Sequence, residues 1–133
     1  MAFVADNSVV VAWHFPSQAS ADTERALRLL QTQKAFAPPV WRLEFSHVLL
    51  KAVRNRRVTE SAAFEIIAQQ NALNFVVNEF AAAPEDLLKL AIQHQLSSYD
   101  ASYLELALRL QLPLATKDDA LRAAARSSGI ALI

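Results

Sequence analysis

Residues 2–8 read AFVADNS, an apolar run that ends at the polar break Asp6-Asn7-Ser8. Residues 9–12 are apolar again, so this stretch predicts a buried strand followed by a helical turn. The same alternation continues along the chain. It predicts strands over 35–37, 74–77, 112–115 and 130–132, and helices over 20–31, 40–54, 59–71, 84–95, 99–110 and 118–126.

Strands that alternate with helices over the whole length predict an α/β fold, with three α/β/α layers around a central, mostly parallel sheet. Prolines support the boundaries, because Pro38 and Pro39 stop the second strand and Pro84 suits a first helical position. No linker, repeat or low-complexity tract interrupts the pattern. We therefore expect a single domain over 1–133.

The composition restricts the function classes. A hydrophobic content of 53% in 133 residues is enough for one substantial core. The 13 basic and 13 acidic residues leave no overall positive field, so any nucleic-acid binding must be local. The chain has no cysteine, no signal-peptide pattern at its start and no apolar run near the roughly 18 to 20 residues of a membrane span. We expect a cytoplasmic protein without membrane contact.

Four acidic residues stand where apolar segments end or face inward: Asp6, Glu44, Asp100 and Asp118. An ionised carboxylate is costly to desolvate unless it is paired or binds a metal. Asp6 and Asp118 follow predicted strands, at the edge of the sheet where α/β folds bind ligands. Hard cations prefer oxygen ligands. The four residues together therefore indicate one Mg²⁺ or Mn²⁺ site, which is typical of a metal-dependent nuclease.

Taken singly, most of these residues also have an ordinary structural explanation. Asp6 fits a turn that ends a strand, and Asp100 fits the first turn of a helix. Asp118 and Asp119 follow Thr116, which can cap the final helix. Glu44 is the exception, because its neighbours on the helical face are mostly apolar, so it points toward packed surface and needs a partner or a cation.

Other motifs are incomplete. Glu44-x-x-His47 has the spacing of a di-iron half-site, but no second copy exists, and the three histidines lack zinc-ligand spacing. A single glycine excludes the usual Gly-rich phosphate loops. A basic run at Lys51, Arg54, Arg56 and Arg57 is typical of a solvated helix end. This basic run indicates a functional role only if an acidic nuclease site lies nearby.

Four segments that carry the acidic residues match short motifs. Residues 4–8, VADNS, are similar to a strand followed by Asp-x-Ser, and residues 38–44, PPVWRLE, to a helix start that carries a glutamate. Residues 99–107, YDASYLELA, and 114–118, LATKD with Leu121, are similar to Y-D-A-x-Y-L-x-L-A and L-A-T-x-D-x-x-L. In these segments, and over essentially its whole length, the chain resembles PIN domains of the VapC toxin type. The resemblance assigns the four acidic positions, although Asp119 remains an alternative to Asp118.

The resemblance implies an Mg²⁺- or Mn²⁺-dependent endoribonuclease that leaves a 5′-phosphate and a 3′-hydroxyl and acts as a toxin that inhibits translation. We assign Asp6, Asp100 and Asp118 as metal ligands, and Glu44 as a ligand or as the group that orients the attacking water. The hydroxyls of Ser8 and Thr116 are expected beside them. The implied partners are RNA, with tRNA and rRNA as candidate classes, a VapB-type antitoxin, and a second copy in a homodimer.

Two alternative functions belong to other classes. A phosphoacceptor signalling domain also places aspartates at strand ends, but it needs an acidic pair after the first strand and an aspartate after a central strand. A catalytically silent PIN-like module would bind RNA or a protein without turnover. The aromatic residues either all belong to the core or leave an apolar patch for a partner; those considered are Trp13, Phe15, Trp41, Phe45 and Phe80.

Overall fold

The computed structural model describes residues 1–133 as an α/β fold, which confirms the predicted class. Its four strands are β1 (Ala2–Ala5), β2 (Lys34–Ala37), β3 (Phe75–Val77) and β4 (Leu114–Ala115). Its seven α-helices are α1 (Asn7–His14), α2 (Ala21–Leu29), α3 (Val40–Arg54), α4 (Glu60–Asn71), α5 (Pro84–His94), α6 (Ser98–Leu110) and α7 (Asp119–Ser127). A short 3₁₀ helix spans Pro16–Gln18 between α1 and α2.

The strands form one sheet in the order β3-β2-β1-β4, and every pair is parallel. Val4 of β1 is in register with Phe36 of β2 on one side and with Leu114 of β4 on the other. The chain moves outward from β1 to β3 and then returns to the opposite side of β1. The strand order therefore reverses between β1 and β4, at the position where α/β sheets collect ligands.

The helices cover both faces of the sheet. Connections between parallel strands are right-handed in nearly all proteins, and this rule puts the helices that lead from β1 to β3 on one face and those that lead from β3 to β4 on the other. The helix contacts follow this division, since α1 packs against α2 and α3, whereas α6 packs against α5 and α7. The predicted α/β/α layering is confirmed.

The core lies between β1 and its covering helices. Phe3 and Val4 of β1 are fully buried, as expected for a strand covered on both faces. Helix α6 packs against β1 and contributes Tyr103 and Leu104, which are also fully buried or nearly so. This packing holds the end of β1, and hence Asp6, in a fixed position.

Two sequence expectations about the last segment were wrong. The strand predicted over 130–132 is reduced to an isolated bridge between Leu114 and Leu132, because β4 has only two residues to offer for pairing. The cap of α7 is Asp118 and not Thr116. Asp118 Oδ2 accepts the Leu121 N–H at 2.8 Å, while Thr116 Oγ1 accepts the Asp118 N–H at 3.0 Å.

The aromatic residues mostly belong to the core. Trp41 and Phe45 are buried and stack with ring centroids 5.0 Å apart, and Trp13 and Phe15 are half-buried against the core cluster. Phe80 is the exception, with 59% of its surface exposed. No helix has both the length and the apolar character needed to cross a membrane.

Replacing Leu104 by alanine tests the packing of α6 on β1. Leu104 is fully buried, so truncation leaves a cavity and is expected to lower the free energy of unfolding by about 2 to 5 kcal/mol. Leu88→Ala on the exposed surface of α5 is the matched control, with an expected change within about 0.5 kcal/mol. Urea unfolding measures both variants, and equal losses would contradict the assignment of Leu104 to the core.

Candidate metal centre

The four acidic residues line one cavity at the position where the strand order reverses. Asp6 follows β1 and Asp118 follows β4, while Glu44 comes from α3 and Asp100 from the first turn of α6. The cavity measures about 330 Å³, and its other lining residues are Asn7, Ser8, Val11, Gln18, Val48 and Tyr103. Side chains from four separate segments therefore meet at one place.

Three of the four carboxylates stand at helix starts. Asp6 caps α1, Asp118 caps α7, and Asp100 lies in the first turn of α6, behind the cap residue Ser97. Backbone N–H groups at a helix start favour negative charge. The structural explanation considered for Asp100 is thus correct, while Asp6 and Asp118 are themselves the caps of their helices. These roles are compatible with a shared site, because all three residues line the same cavity.

Asp6 is the most buried of the four, with 4% of its surface exposed. Ser8 Oγ donates to Oδ1 at 2.6 Å and Thr116 Oγ1 donates to Oδ2 at 2.5 Å. The same two hydroxyls accept backbone N–H groups, Ser8 from Lys117 at 3.1 Å and Thr116 from Asp118 at 3.0 Å. The two hydroxyls predicted beside the site therefore tie the loop after β4 to the carboxylate after β1.

Burial raises the pKa of Asp6 from 3.8 to about 6. The hydrogen bonds from Ser8, Thr116 and the Val9 N–H lower the pKa, while the negative charge of Asp100 raises it. Desolvation is the largest of these effects. No lysine or arginine forms a salt bridge with Asp6 that would offset it. The ionised form of Asp6 is therefore destabilised by burial, and a cation bound beside it would stabilise it.

Glu44 is held by Tyr103, a residue that the sequence reasoning did not include in the site. The Tyr103 hydroxyl donates to Glu44 Oε1 at 2.5 Å. Burial, together with the charge of Glu44, raises the pKa of Tyr103, so the phenol stays protonated and remains a donor. Tyr103 follows Asp100 by three residues on α6 and so lies on the same helical face. That spacing is the signal that could have identified it.

Together with burial, the negative charge of Asp100 raises the pKa of both Asp6 and Glu44. Burial raises the pKa of Asp100 first, and the charge of Asp118 raises it further. Burial also raises the pKa of Glu44, against the hydrogen bond from Tyr103, with an additional contribution from Asp100. Asp100 therefore interacts unfavourably with each of the other three carboxylates, and none of the four forms a salt bridge.

The structure distinguishes Asp118 from Asp119. Asp118 lines the acidic cavity, whereas Asp119 lines a separate cavity with Asp22, Lys117 and Arg122. His47 is exposed, and no set of three acidic or histidine side chains is gathered closely enough to bind an ion directly. The spacing Glu44-x-x-His47 therefore does not form a half-site here.

The residues present fit a hard divalent cation that keeps part of its water shell. The charged groups offer only oxygen, and the hydrogen bonds from Tyr103 and Leu121 occupy just one oxygen each of Glu44 and Asp118. Mg²⁺ in proteins is commonly held by one or two carboxylates with several retained waters. The four carboxylates line one cavity but do not converge closely on a single position. Such an arrangement suits a partly hydrated ion better than it suits zinc in a closed site with four protein ligands.

Four further lining residues were missed by the sequence reasoning: Asn7, Val11, Gln18 and Val48. Val48 follows Glu44 by one helical turn, so its position was readable from periodicity. Gln18 comes from the short 3₁₀ helix, whose location depends on packing and has no local signal. Asn7 directs an amide oxygen into a buried position without a hydrogen-bond partner.

Comparison with known proteins gives one family and several similar structures. A family model described as PIN domain matches residues 3–127. The crystal structure of PAE2754 from Pyrobaculum aerophilum is 26% identical, with a TM-score of 0.69, over 93% of this chain and 87% of that chain. None of the curated proteins matches the chain significantly.

Two more distant structures share the fold. VapBC2 from Rickettsia felis, bound to a DNA fragment from its promoter, is 11% identical with a TM-score of 0.73, over 100% of this chain and 98% of that chain. A toxin-antitoxin complex from Klebsiella pneumoniae is 14% identical with a TM-score of 0.56, over 87% of this chain and 86% of that chain. At these identities the likeness establishes the architecture.

Asp6→Asn tests the cost of the buried charge. The pKa of Asp6 in the folded protein, about 6, exceeds 3.8, so its stabilising contribution is complete below pH 3.8 and is lost as the pH rises through about 6. Asparagine does not titrate. In chelator, the free energy of unfolding of the variant relative to wild type should therefore rise by up to about 3 kcal/mol between roughly pH 4 and pH 7.

Urea unfolding at several pH values measures this difference. Asp86→Asn on the exposed first turn of α5 is the control for the same chemical change outside the cavity. A difference between Asp6→Asn and wild type that does not change with pH would contradict the raised pKa of Asp6.

Proposed function

This chain belongs to the PIN domain family, whose members are generally nucleases, and we propose that it is an Mg²⁺- or Mn²⁺-dependent endoribonuclease. The observation that carries the proposal is the single cavity shared by Asp6, Glu44, Asp100 and Asp118. Two carboxylates about 4 Å apart repel by roughly 4 kcal/mol at an effective dielectric near 20. Repulsion of this kind weakens with distance, but four carboxylates that line one cavity without a salt bridge still favour a bound cation.

Asp6, Asp100 and Asp118 would hold the ion, directly or through water. When bound, Mg²⁺ or Mn²⁺ lowers the pKa of a bound water and offsets the negative charge of the scissile phosphate. Ser8 and Thr116 hold both oxygens of Asp6 in place, so that this carboxylate does not have to be ordered when the substrate binds. Preorganised groups of this kind lose little entropy during the reaction.

Glu44 would bind the ion or orient the attacking water. Its Oε1 accepts the Tyr103 hydroxyl, which fixes the direction of the carboxylate within the cavity. The raised pKa of Glu44 makes it a better proton acceptor than an exposed glutamate. Water attacks the phosphorus, and the bond between phosphorus and the 3′-oxygen breaks. The 3′-oxygen takes up a proton to give a 3′-hydroxyl on one product, and the other product keeps a 5′-phosphate.

Cleavage of RNA by purified protein tests this proposal. Wild type should cut a structured RNA with Mg²⁺ or Mn²⁺ and lose this activity in excess chelator. Asp100→Asn should lower the rate by about 100-fold or more, since loss of one essential electrostatic group commonly costs that much. Asp119→Asn, which lies in the other cavity, is the matched control and should retain near-normal activity.

Circular dichroism and Mn²⁺ titration separate loss of fold from loss of the site. Asp100→Asn should remain folded and bind Mn²⁺ more weakly. Full activity of Asp100→Asn or of the chelated protein would remove the metal-site assignment. Binding of RNA without cleavage under all conditions would support the alternative of a catalytically silent module.

The proposed biological role is that of a VapC-type toxin that inhibits translation in the cytoplasm, as a homodimer neutralised by a VapB-type antitoxin. The four motif segments around Asp6, Glu44, Asp100 and Asp118 support this assignment, and the fold agrees with that of VapBC2 from Rickettsia felis and of a toxin-antitoxin complex from Klebsiella pneumoniae. Exposed apolar side chains such as Leu43, Phe64 and Ile92, each at least 70% exposed, provide surface that partners can cover.

Controlled expression tests the toxin role. Induction of wild type in a bacterial host should stop growth and lower protein synthesis, measured by incorporation of labelled methionine. Co-expression of a small open reading frame adjoining this one should restore growth, and Asp100→Asn should be harmless at equal protein level. Growth arrest by Asp100→Asn equal to that by wild type would contradict a toxin that acts through cleavage.

A further inference from the structure

A second cavity, of about 250 Å³, adjoins the acidic one and is lined by two residues of the basic run at the end of α3, Lys51 and Arg57. We call it the basic cavity, and its lining residues are Phe15, Gln18, Val48, Lys51, Ala52, Asn55 and Arg57. Gln18 and Val48 line the acidic cavity as well, so the two cavities are neighbours. We propose that the basic cavity binds a backbone phosphate of single-stranded RNA next to the scissile phosphate, an inference that rests on the proposed nuclease function.

The charged groups of the basic cavity are free to bind an anion. The salt bridges of the protein use Arg25, Arg42 and Arg109, and neither Lys51 nor Arg57 takes part in one. No acidic residue lines the cavity, and the Asn55 side chain adds a neutral donor. A phosphate that entered would gain two cations without breaking an existing ion pair.

The backbone after α3 places Arg57 beside Lys51. Arg56 has a φ of +57°, and the N–H groups of Arg57 and Arg56 donate to the carbonyls of Ala52 at 2.9 Å and Val53 at 3.0 Å. This pair of bonds is a Schellman ending, which turns the chain back along the helix. Arg57 is therefore set at the helix end by backbone hydrogen bonds and is not simply the next residue of a solvated tail.

Complementarity with the helix dipole explains only part of the basic run. Lysine and arginine stabilise the last turn of any helix, and this explanation applies equally to Arg54. Arg54, however, does not line the basic cavity, whereas Lys51 and Arg57 do. The position of these two cations next to the acidic cavity is thus an additional property, which the helix end by itself does not require.

The overall charge of the protein also favours a local binding site for phosphate. With a formal net charge of +0, the protein has no general attraction for a polyanion. The acidic cavity would repel RNA in the absence of a metal ion. Lys51 and Arg57 supply positive charge at its border, and the half-buried Phe15 offers an apolar surface to a ribose or base.

Binding of a fluorescent single-stranded RNA tests the basic cavity. The substitutions Lys51→Ala and Arg57→Ala are combined in the Asp100→Asn background to prevent cleavage, and affinity is measured by anisotropy at several salt concentrations. We expect an affinity at least 10-fold lower than that of Asp100→Asn alone. The magnitude of the slope of log affinity against log salt should fall by about 0.7, the value for one phosphate that is no longer neutralised on a single strand.

Arg54→Ala in the same background is the matched control, because it removes one cation of the same run outside the cavity. It should change the affinity by less than 2-fold. In the active protein, the double substitution should raise KM at least 10-fold while kcat and Mn²⁺ affinity stay within 2-fold of wild type. A single-stranded DNA of the same sequence should lose affinity by a similar factor, since the recognised group is the phosphodiester.

The outcomes separate this inference from the proposed function. Suppose that the wild-type protein cleaves RNA, and that the double substitution changes neither RNA binding in the Asp100→Asn background nor cleavage in the wild-type background. The basic cavity is then not a phosphate site, and the nuclease proposal stands. Equal losses from Arg54→Ala and from the double substitution would also overturn the inference, because they indicate general charge. Failure of the wild-type protein both to bind and to cleave RNA overturns both proposals.

Discussion

The buried carboxylate of Asp6 is the constraint on which the rest of the structure depends. It ends β1, caps α1, and accepts the hydroxyls of Ser8 and Thr116, which in turn accept backbone N–H groups of the loop that follows β4. One charged group thereby joins two neighbouring strands and one helix start. Its hydrogen bonds satisfy the oxygens but leave the charge without a partner, because burial still raises the pKa to about 6.

The remaining acidic residues extend this electrostatic imbalance across the cavity. Burial raises the pKa of both Glu44 and Asp100, and each carboxylate feels the charge of another. No lysine or arginine forms a salt bridge with any of the four, and two cations, Lys51 and Arg57, line the adjoining cavity. Keeping Lys51 and Arg57 apart from the acids leaves both sets available, the acids for a metal ion and the cations for a phosphate.

Local rules predicted the helices well and the strands less well. The bounds of α3 agree with the sequence prediction because Pro38 and Pro39 mark its start and apolar periodicity carries it to Arg54. The final strand was wrong, because a strand exists only where a neighbour has enough backbone to pair with, and β4 is two residues long. Sequence spacing allowed Thr116 to cap α7, but the helix begins at Asp119 and Asp118 caps it. The Thr116 hydroxyl instead bridges the Asp6 carboxylate and the Asp118 N–H, a contact that sequence spacing does not show.

The sequence by itself determined the α/β alternation and the four acidic candidates, since each of these features rests on neighbouring residues. Only the tertiary structure decided that Asp118 and not Asp119 lines the acidic cavity, and that Tyr103 holds Glu44 across 59 residues of chain. It alone placed Thr116 on Asp6, 110 residues away, and the basic end of α3 beside the acids. The physical reason is that burial and charge proximity are properties of the packed sheet and helices, and no local pattern specifies which distant side chains will meet.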